Sequence, residues 1–267
     1  MTKFLAILID TLLRTFTVLL PRWKRLTVRA RLYDRLQPFE NIKVEDIYLN
    51  LFIPDRTCVY WAKEGPNSEP MTNTWIKSFE EGEIFVDIGA NIGLYSLLAA
   101  AYGASRVYSF EPNPFSYSVL TRNIISNEFG NVITPFCIAM NENSSVVTFK
   151  LGGLHAGGIK NEIVNEGPHP ANLSISAAAF SVDEFFRIQK ISCVNHLKID
   201  VDGLELKILH GATNMLSDKA LKSVLIEDNS QKEDGNSEIV SFLSQFGFTE
   251  SNAFESDGLI NRIFTRN

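Results

Sequence analysis

The chain has 267 residues, of which 45% are hydrophobic and 21% are charged. These values allow one large folded domain with a full apolar core and exclude a globally disordered chain. The net charge of -6 argues against a protein that binds nucleic acid through its overall charge. Cys58, Cys137 and Cys193 are far apart and show no C-x-x-C spacing. They therefore indicate neither a disulfide scaffold nor a zinc site, and they predict a reducing, cytoplasmic location.

The first 36 residues carry the opposite charge to the rest of the chain. They hold eight basic and two acidic side chains, a net charge of +6, which leaves −12 for the remainder. Residues 4–20 are mostly apolar, but the run is shorter than the ~20 residues of a spanning helix and is interrupted by Asp10 and Arg14. On a helix these two side chains share one face with Lys3, whereas most leucines share the other. An amphipathic helix is therefore predicted.

Three interpretations of this helix stay open. In the first, the apolar face of the helix packs on the folded domain. In the second, the helix lies in a membrane interface, where the cations within residues 3–31 favour anionic lipid on the cytoplasmic face. The third interpretation is a signal peptide or a true span. The lack of a small-residue cleavage site and the internal charges argue against it.

The stretch that follows is rich in β-forming residues. Apolar runs at 46–53 and 57–61 predict a hairpin around Pro54 and Asp55. We assign residues 1–68 to an N-terminal extension and residues 69–267 to the main domain.

From residue 84 onward, strands and helices alternate. Residues 84–86, 107–110 and 132–139 predict buried strands, and residues 92–101 and 114–125 between them predict helices. This alternation is typical of a parallel sheet with right-handed crossovers. The predicted fold class is therefore α/β, a doubly wound, Rossmann-like sheet.

The second half of the chain continues the pattern with one interruption. Its predicted strands and helices, in chain order, are strands at 145–151 and 173–182, a helix at 183–188, a strand at 194–199, a helix at 204–210, a strand at 221–226 and a helix at 237–246. Residues 248–249 and 260–265 predict a C-terminal antiparallel pair on the otherwise mostly parallel sheet. Residues 152–172 are rich in Gly, Pro, Asn and His and predict a long functional loop or lid.

The strongest signal is FVDIGANIG at residues 85–93, where a strand enters a loop with Gly89 and Gly93 before a helix begins. Glycines let a backbone turn sharply and let a ligand approach it closely. Asp87, at the end of this strand, can accept an amino or hydroxyl donor. Glu111, at the end of the next strand, can accept both hydroxyls of a ribose. These features predict a nucleoside-binding site.

The loop differs from the G-x-G-x-x-G fingerprint of dinucleotide-binding proteins, because Asn91 stands where the fingerprint needs Gly. A pyrophosphate would also avoid the carboxylate of Asp87. S-Adenosylmethionine has no phosphate and carries an ammonium group, so the acidic loop favours it as the cofactor.

Further oxygen ligands follow two later strands. Asp200 comes after the strand at 194–199, and Asp228 and Asn229 come after the strand at 221–226, so all three are expected at the edge that carries the cofactor loop. Asp200 there can deprotonate or orient a hydroxyl. Strand-end capping is the simpler interpretation of the set, so no metal is expected. A divalent cation bound by these three residues stays the alternative.

Two of the four histidines are candidate bases. His155 and His169 lie in the long loop and can titrate near neutral pH. His196, inside a strand, and His210, at a helix end, are interpreted as structural.

Four segments together resemble the FkbM-type methyltransferases over roughly residues 69–230. In chain order they are FVDIGANIGLYSLLAA, YSFEPNP, FSVDEFF and, beginning at Leu197, LKIDVDGLELKILHGA. The last segment is the specific one, since the first two occur in many methyltransferases. Asp202 departs from the family, which usually has Glu there, but keeps the negative charge.

The resemblance implies a class I methyltransferase fold and O-methylation of a hydroxyl, commonly on a sugar, a glycan or a secondary metabolite. Carried over to matching positions, it implies that the cofactor contacts Asp87, Gly89, Ala90, Asn91, Gly93 and Glu111. It also implies that Lys198 and Asp200 lie by the reacting centre. With the loop histidine added, the catalytic candidates are Asp200, Lys198 and His155. The expected partner is a small-molecule or glycan acceptor, and no nucleic acid is expected.

Two other functions stay open on the sequence. One is a nicotinamide-dependent oxidoreductase on a similar sheet. The loop sequence and Asp87 argue against this function. The other is a membrane-associated module that binds a nucleoside without catalysis, for which the basic amphipathic segment is the motivation. Nothing in the sequence selects an oligomeric state.

Overall fold

The computed structural model describes residues 2–158, 161–164, 173–228, 237–256 and 258–266. The chain forms two compact units, Met1–Pro38 and Phe39–Asn267.

The smaller unit consists of two helices, α1 (Thr2–Thr17) and α2 (Arg22–Arg35), with Pro21 before the second. The helix predicted over residues 4–20 is thereby confirmed, although it ends at Thr17. Among the described residues, no helix combines the length and the hydrophobicity that crossing a membrane requires.

The larger unit contains a hairpin, a central sheet and a smaller sheet. Its strands are β1 (Phe39–Val44), β2 (Ile47–Phe52), β3 (Ile84–Ile88), β4 (Arg106–Phe110), β5 (Ile133–Phe136), β6 (Ala139–Met140), β7 (Ser145–Lys150), β8 (Glu162–Val164), β9 (Ser174–Phe180), β10 (His196–Ile199), β11 (Ser223–Asp228), β12 (Thr249–Ser256) and β13 (Leu259–Thr265). Its helices are α3 (Arg56–Lys63), α4 (Gly65–Ser68), α5 (Pro70–Lys77), α6 (Leu94–Ala101), α7 (Pro114–Ser126), α8 (Val182–Gln189), α9 (Glu205–His210), α10 (Thr213–Ser217) and α11 (Glu238–Ser244).

The central sheet has seven strands in the order β12-β13-β11-β10-β3-β4-β5. The five strands from β11 to β5 are parallel, and β13 pairs antiparallel with both β11 and β12. The predicted parallel sheet with an antiparallel C-terminal pair is confirmed. The edge pair lengthens the sheet on the side of β11.

Both faces of this sheet are covered by helices. In β3, Phe85 packs into one core with residues of α5, α6 and α7, whereas its neighbours Val86 and Ile88 pack into a second core with residues of α8 to α11. Because successive side chains of a strand point to opposite faces, this division shows helices on each side. The sheet is doubly wound, as predicted.

The hairpin predicted around Pro54 and Asp55 is wrong. The hairpin is formed by β1 and β2, and the β-forming residues after Asp55 belong to α3. The reason is a helix cap: the carboxylate of Asp55 accepts the backbone N–H groups of Thr57 and Cys58 at 2.9 and 3.0 Å. Such a cap satisfies donors that a helix start leaves unpaired, and here it outweighs the local β propensity.

The hairpin belongs to the larger unit, which begins at Phe39, although the sequence placed it in the extension. Where the catalytic part of the chain begins stays a prediction. The strand predicted over 132–139 is divided between β5 in the central sheet and β6 in the smaller sheet, whose order is β6-β9-β7-β8. One strand, β8, lies inside the segment predicted to be a loop.

Asn123 of α7 connects the hairpin to the loop after β3. Its side chain is fully buried, its Oδ1 accepts the N–H of Phe52 at 2.7 Å, and its Nδ2 donates to the carbonyl of Ile92 at 2.8 Å. One amide therefore satisfies two backbone groups that are far apart in sequence, and it fixes the position of the loop.

Replacing Asn123 by Ala should leave both backbone groups buried without a partner. We expect the free energy of unfolding in urea to fall by about 2–4 kcal/mol. The control is Ile125→Ala on the same helix, where the side chain is 74% exposed and the change should stay within about 0.5 kcal/mol. Equal effects of the two substitutions would contradict the assigned role.

Candidate active site

A cavity of about 220 Å³ opens at the carboxyl ends of β3, β4, β10 and β11. It is lined by residues 88–92 at and after the end of β3, by residues 110–112 at and after the end of β4, and by residues 200–202 after β10. Ligands of doubly wound sheets bind at this edge, where loops from several strands meet. The cavity is therefore the candidate active site.

The loop after β3 adopts a backbone conformation that depends on its glycines. Gly89, Asn91 and Gly93 all have positive φ values, of 85°, 52° and 90°. A Cβ on Gly89 would lie 1.8 Å from the carbonyl oxygen of Asp200, which is closer than any real contact. The loop after β3 and the loop after β10 thus touch through their backbones, which only Gly allows at this position.

The carboxylate of Glu111 is held by the loop that precedes it in sequence and by its own turn. Its Oε2 accepts the N–H of Asn91 and its Oε1 accepts the N–H of Asn113, both at 2.8 Å. Burial raises the pKa of Glu111 to about 7, although these two donors act in the opposite direction. Each oxygen still has lone pairs for a second donor, so the group can receive a pair of hydroxyls from the cavity.

Asp87 lies behind the cavity wall. It is 1% exposed, and its Oδ2 accepts the hydroxyl of Ser96 at 2.5 Å. Burial raises its pKa, and the charge of Lys198 partly offsets this effect. Its other oxygen, Oδ1, has no hydrogen-bond partner within the described part of the chain.

Lys198 is a buried cation among carboxylates. Its side chain is 1% exposed, its Nζ donates to Asp200, and the same nitrogen lies 4.9 Å from the centroid of the Tyr95 ring. Burial disfavours the charged amine, but the charges of Asp200, Glu69 and Asp87 outweigh burial and raise the pKa of Lys198. The lysine therefore stays protonated and holds Asp200, which itself lines the cavity.

Part of the predicted functional loop closes one side of the cavity. The carbonyl of Gly157 accepts the indole N–H of Trp61 at 2.9 Å, and the N–H of Asn161 donates to Asp202 at 2.8 Å. Trp61, Gly158 and Asn161 line the cavity.

The sequence profile described as Methyltransferase FkbM domain matches residues 87–250. The chain belongs to this family. The matched range contains the loop after β3, Glu111 and the segment around Asp200.

Curated relatives have methyltransferase names. A hexuronic acid methyltransferase, AglP, of Haloferax volcanii is 28% identical over 57% of this chain and 58% of the relative. Methyltransferase 1 of Beauveria bassiana is 29% identical over 51% of this chain and 61% of the relative. The chain thus matches about three fifths of the length of these relatives. A solved structure described as a putative rRNA-methylase from Clostridium thermocellum is 13% identical with a TM-score of 0.46, over 74% of this chain and 95% of that chain.

The site fits the S-adenosylmethionine expected of an FkbM-family member. Gly89 and Ala90 line the cavity, and Glu111 offers an acceptor to two hydroxyls. The buried amide oxygen of Asn91, which lines the cavity, has no hydrogen-bond partner among the described residues. An amino or hydroxyl donor of a nucleoside would satisfy it.

The structure places the residues expected to bind the cofactor in two groups. Gly89, Ala90, Asn91 and Glu111 line the cavity. Asp87 and Gly93 do not line the cavity. Asp87 lies beside Lys198 in the paired strands, and a Cβ on Gly93 would lie 2.4 Å from the side chain of Leu120. The contact expected between the cofactor and these last two residues stays a prediction.

The catalytic candidates differ in whether they line the cavity. Asp200 lines the cavity and Lys198 supports it from behind. His155 is exposed and does not line the cavity, so the structure does not bring it to the site. His169 lies outside the described residues.

Of the three candidate metal ligands, the two that the structure describes each have a basic partner. Asp200 is paired with Lys198, and Asp228 is paired with Arg262 at 2.6 Å. Asn229 lies outside the described residues. Within the described part of the chain, no group of three or more His, Cys, Asp or Glu side chains is placed to hold a metal. A cation at this edge would have to displace both basic partners.

Several residues that line the cavity escaped the sequence analysis, namely Glu69, Tyr95, Asn161, Glu227 and Asn261. Three of them had a local signal. Glu69 precedes Pro70, which is typical of a helix start, Asn161 lies in the predicted functional loop, and Glu227 directly follows the strand predicted at 221–226. Asn261 reaches the cavity because β13 pairs antiparallel with β11, which places it beside Glu227. No local sequence pattern encodes this contact.

Gly89→Ala should lower the free energy of unfolding more than Gly82→Ala does. Gly82 has a similar φ of 91°, but a Cβ added there would meet no atom within 4 Å, so Gly82→Ala measures backbone strain alone, about 1–2 kcal/mol. Gly89→Ala adds the collision with Asp200, and we expect it to lower the free energy of unfolding by a further ~1–3 kcal/mol. Chemical denaturation of both variants tests this, and equal losses would refute the collision.

Proposed function

We propose that the chain is an S-adenosylmethionine-dependent methyltransferase that methylates a hydroxyl of a sugar, a glycan or another small metabolite. The observation that carries the proposal is Glu111, whose two oxygens are each fixed by a backbone N–H beside a glycine-bearing loop. Membership of the FkbM family supports the methyltransferase activity. The relative named for a hexuronic acid supports a sugar as the acceptor.

The charge of the cavity supports this cofactor over a nicotinamide dinucleotide. Glu69, Glu111, Asp200, Asp202 and Glu227 line it, and no Lys, Arg or His among the described residues does so. A pyrophosphate would face like charges at short distance, whereas a ligand with an ammonium and a sulfonium group would be attracted.

When bound, S-adenosylmethionine supplies an electrophilic methyl group, so the protein must mainly orient an acceptor oxygen and remove its proton. Asp200 is the residue we assign to the proton, since it lines the cavity and the Lys198 ammonium fixes its carboxylate. Lys198 is a positioning residue, because it contacts Asp200 and not the cavity.

Binding of S-adenosylmethionine should depend on pH through Glu111. Ribose hydroxyls donate to the ionised carboxylate, and the pKa of about 7 means that the free protein must lose a proton below that pH before it binds. Between pH 8 and pH 6 we expect the affinity to fall roughly tenfold. Isothermal titration of the purified protein at the two pH values measures the effect.

The matched variant is Glu111→Gln, which keeps the size of the side chain and removes the titration. We expect it to bind S-adenosylmethionine more weakly at pH 8 and to show no pH slope between 8 and 6. Wild-type protein that binds NAD in place of S-adenosylmethionine, or neither, would contradict the proposed function.

We also propose that the smaller unit binds anionic membrane surfaces peripherally. Within this unit, large apolar side chains such as Phe4 (72% exposed) and Phe16 (82%) are exposed, and α2 holds six of the basic residues. Exposed apolar groups beside clustered cations are the combination that interfacial helices use.

The full-length protein should sediment with phosphatidylglycerol vesicles and stay in solution with phosphatidylcholine vesicles. Replacing Arg22, Lys24 and Arg25 by Gln should weaken the partitioning about fivefold for each cation removed. Lys207→Gln, at an exposed position of α9, is the control and should leave it unchanged. Retention of the wild type in the supernatant with both vesicles would end this proposal.

A further inference from the structure

The hydroxyl of Tyr95 is a polar group of the cavity that the proposed function leaves without a role. Tyr95 lies in the first turn of α6 and lines the cavity, although the residue is only 8% exposed. Its Oη has no hydrogen-bond partner of good geometry among the described residues. A buried hydroxyl loses its water partners and is costly until another polar group replaces them. The hydroxyl therefore indicates a ligand that brings such a group into the cavity.

The contacts of Tyr95 place it beside Asp200. The Nζ of Lys198 donates to Asp200 and lies 4.9 Å from the centroid of the Tyr95 ring, so one ammonium group contacts both side chains. Burial and the charges of Glu69 and Asp200 raise the pKa of the Tyr95 hydroxyl, which therefore stays protonated and can donate a hydrogen bond. Tyr95 thus lies next to the carboxylate that we assign to the acceptor proton.

The indole of Trp61 forms part of the same wall of the cavity. Its N–H donates to the carbonyl of Gly157 at 2.9 Å, and a Cβ added to Gly157 or to Gly65 would lie 2.8 or 3.0 Å from the ring. The same Cβ on Gly65 would lie 3.3 Å from Leu94, the neighbour of Tyr95 in the chain. Two backbone segments thus hold the ring in place, and its polar atom is already paired. What the ring can offer a ligand is an apolar surface.

We propose that Tyr95 and Trp61 bind the acceptor, which has the form of a pyranose ring. The hydroxyl of Tyr95 donates a hydrogen bond to an acceptor hydroxyl beside Asp200, and the ring of Trp61 packs against the C–H groups on one face of the sugar. A pyranose presents both kinds of group, an apolar face and hydroxyls at its edge, and so matches the pair. The inference rests on the proposed function and names acceptor-binding residues for it.

Binding of simple pyranosides to the full-length protein tests the proposal. The probes are methyl β-glucopyranoside, methyl β-galactopyranoside and methyl β-xylopyranoside, which carry no charge, so that attraction to the carboxylates of the cavity does not enter the comparison. Each is titrated into protein saturated with S-adenosylhomocysteine, and its Kd is measured by nuclear magnetic resonance. We expect saturable binding of at least one of the three, and the pyranoside that binds most tightly is then used with the variants.

Tyr95→Phe removes only the hydroxyl and keeps the ring that contacts Lys198. We expect the Kd of the pyranoside to rise about three- to tenfold and the Kd of S-adenosylhomocysteine to stay unchanged. The urea midpoint should not fall, because a buried hydroxyl without a partner is removed. Tyr102→Phe is the matched control: its hydroxyl is also buried without a partner among the described residues, but Tyr102 does not line the cavity, so the Kd of the pyranoside should not change.

Trp61→Ala should raise the Kd of the pyranoside about tenfold and leave the Kd of S-adenosylhomocysteine unchanged. Trp61→Phe keeps an aromatic ring and should raise the Kd of the pyranoside only about threefold, and it carries the test if the Ala variant does not fold. Tyr60→Ala, on the same helix, is the control, because Tyr60 is 44% exposed and does not line the cavity.

The proposal is overturned if none of the three pyranosides binds, or if Tyr95→Phe or the Trp61 variants keep the wild-type Kd. It is also overturned if Tyr95→Phe weakens S-adenosylhomocysteine as much as the pyranoside, which would assign Tyr95 to the cofactor, or if the variant lowers the urea midpoint, which would make the hydroxyl structural. Each of these results in wild-type protein that binds S-adenosylmethionine leaves the proposed function standing. A wild-type protein that does not bind S-adenosylmethionine would instead remove the proposed function itself.

Discussion

The buried ammonium group of Lys198 is the interaction on which the rest of the site depends. Three carboxylates, Asp87, Asp200 and Glu69, lie close enough to raise its pKa, although burial acts in the opposite direction. Without the lysine, like charges would be left facing one another in a poorly solvated region, which costs several kcal/mol for each such ion. The lysine therefore lets one carboxylate face the cavity while another stays fully buried behind it.

A backbone constraint couples this charge cluster to the cofactor loop. The N–H of Asp200 donates to the carbonyl of Ile88 at 3.0 Å, and the carbonyl of Asp200 approaches Gly89 too closely for any side chain. The strand pairing of β3 with β10 sets both contacts, since Lys198 lies opposite Asp87 in the register. The loop that would hold the cofactor and the residue assigned to the proton are thus parts of one rigid arrangement, so disturbance of either is expected to displace the other.

Sequence reasoning succeeded where the position of a residue at the cavity follows from its neighbours in the chain. The Gly89 loop, Glu111 and Asp200 each follow a strand whose apolar run is plain, so the sheet edge and these cavity-lining residues could be predicted. It failed where contacts join distant segments. Glu69 reaches the site through packing, Asn261 through an antiparallel pairing, and Asp55 ends a supposed hairpin by capping α3.

The carboxylates that line the cavity have a consequence for turnover under the proposed function. A cluster of carboxylates binds a ligand with a positive charge more tightly than the same ligand without it. Methyl transfer removes the sulfonium charge, so the carboxylates that favour the cofactor favour its demethylated product less. Glu69, Asp200 and Asp202 would then contribute to product release as well as to binding. Lys198 limits this effect, because its charge offsets one carboxylate in every state of the site.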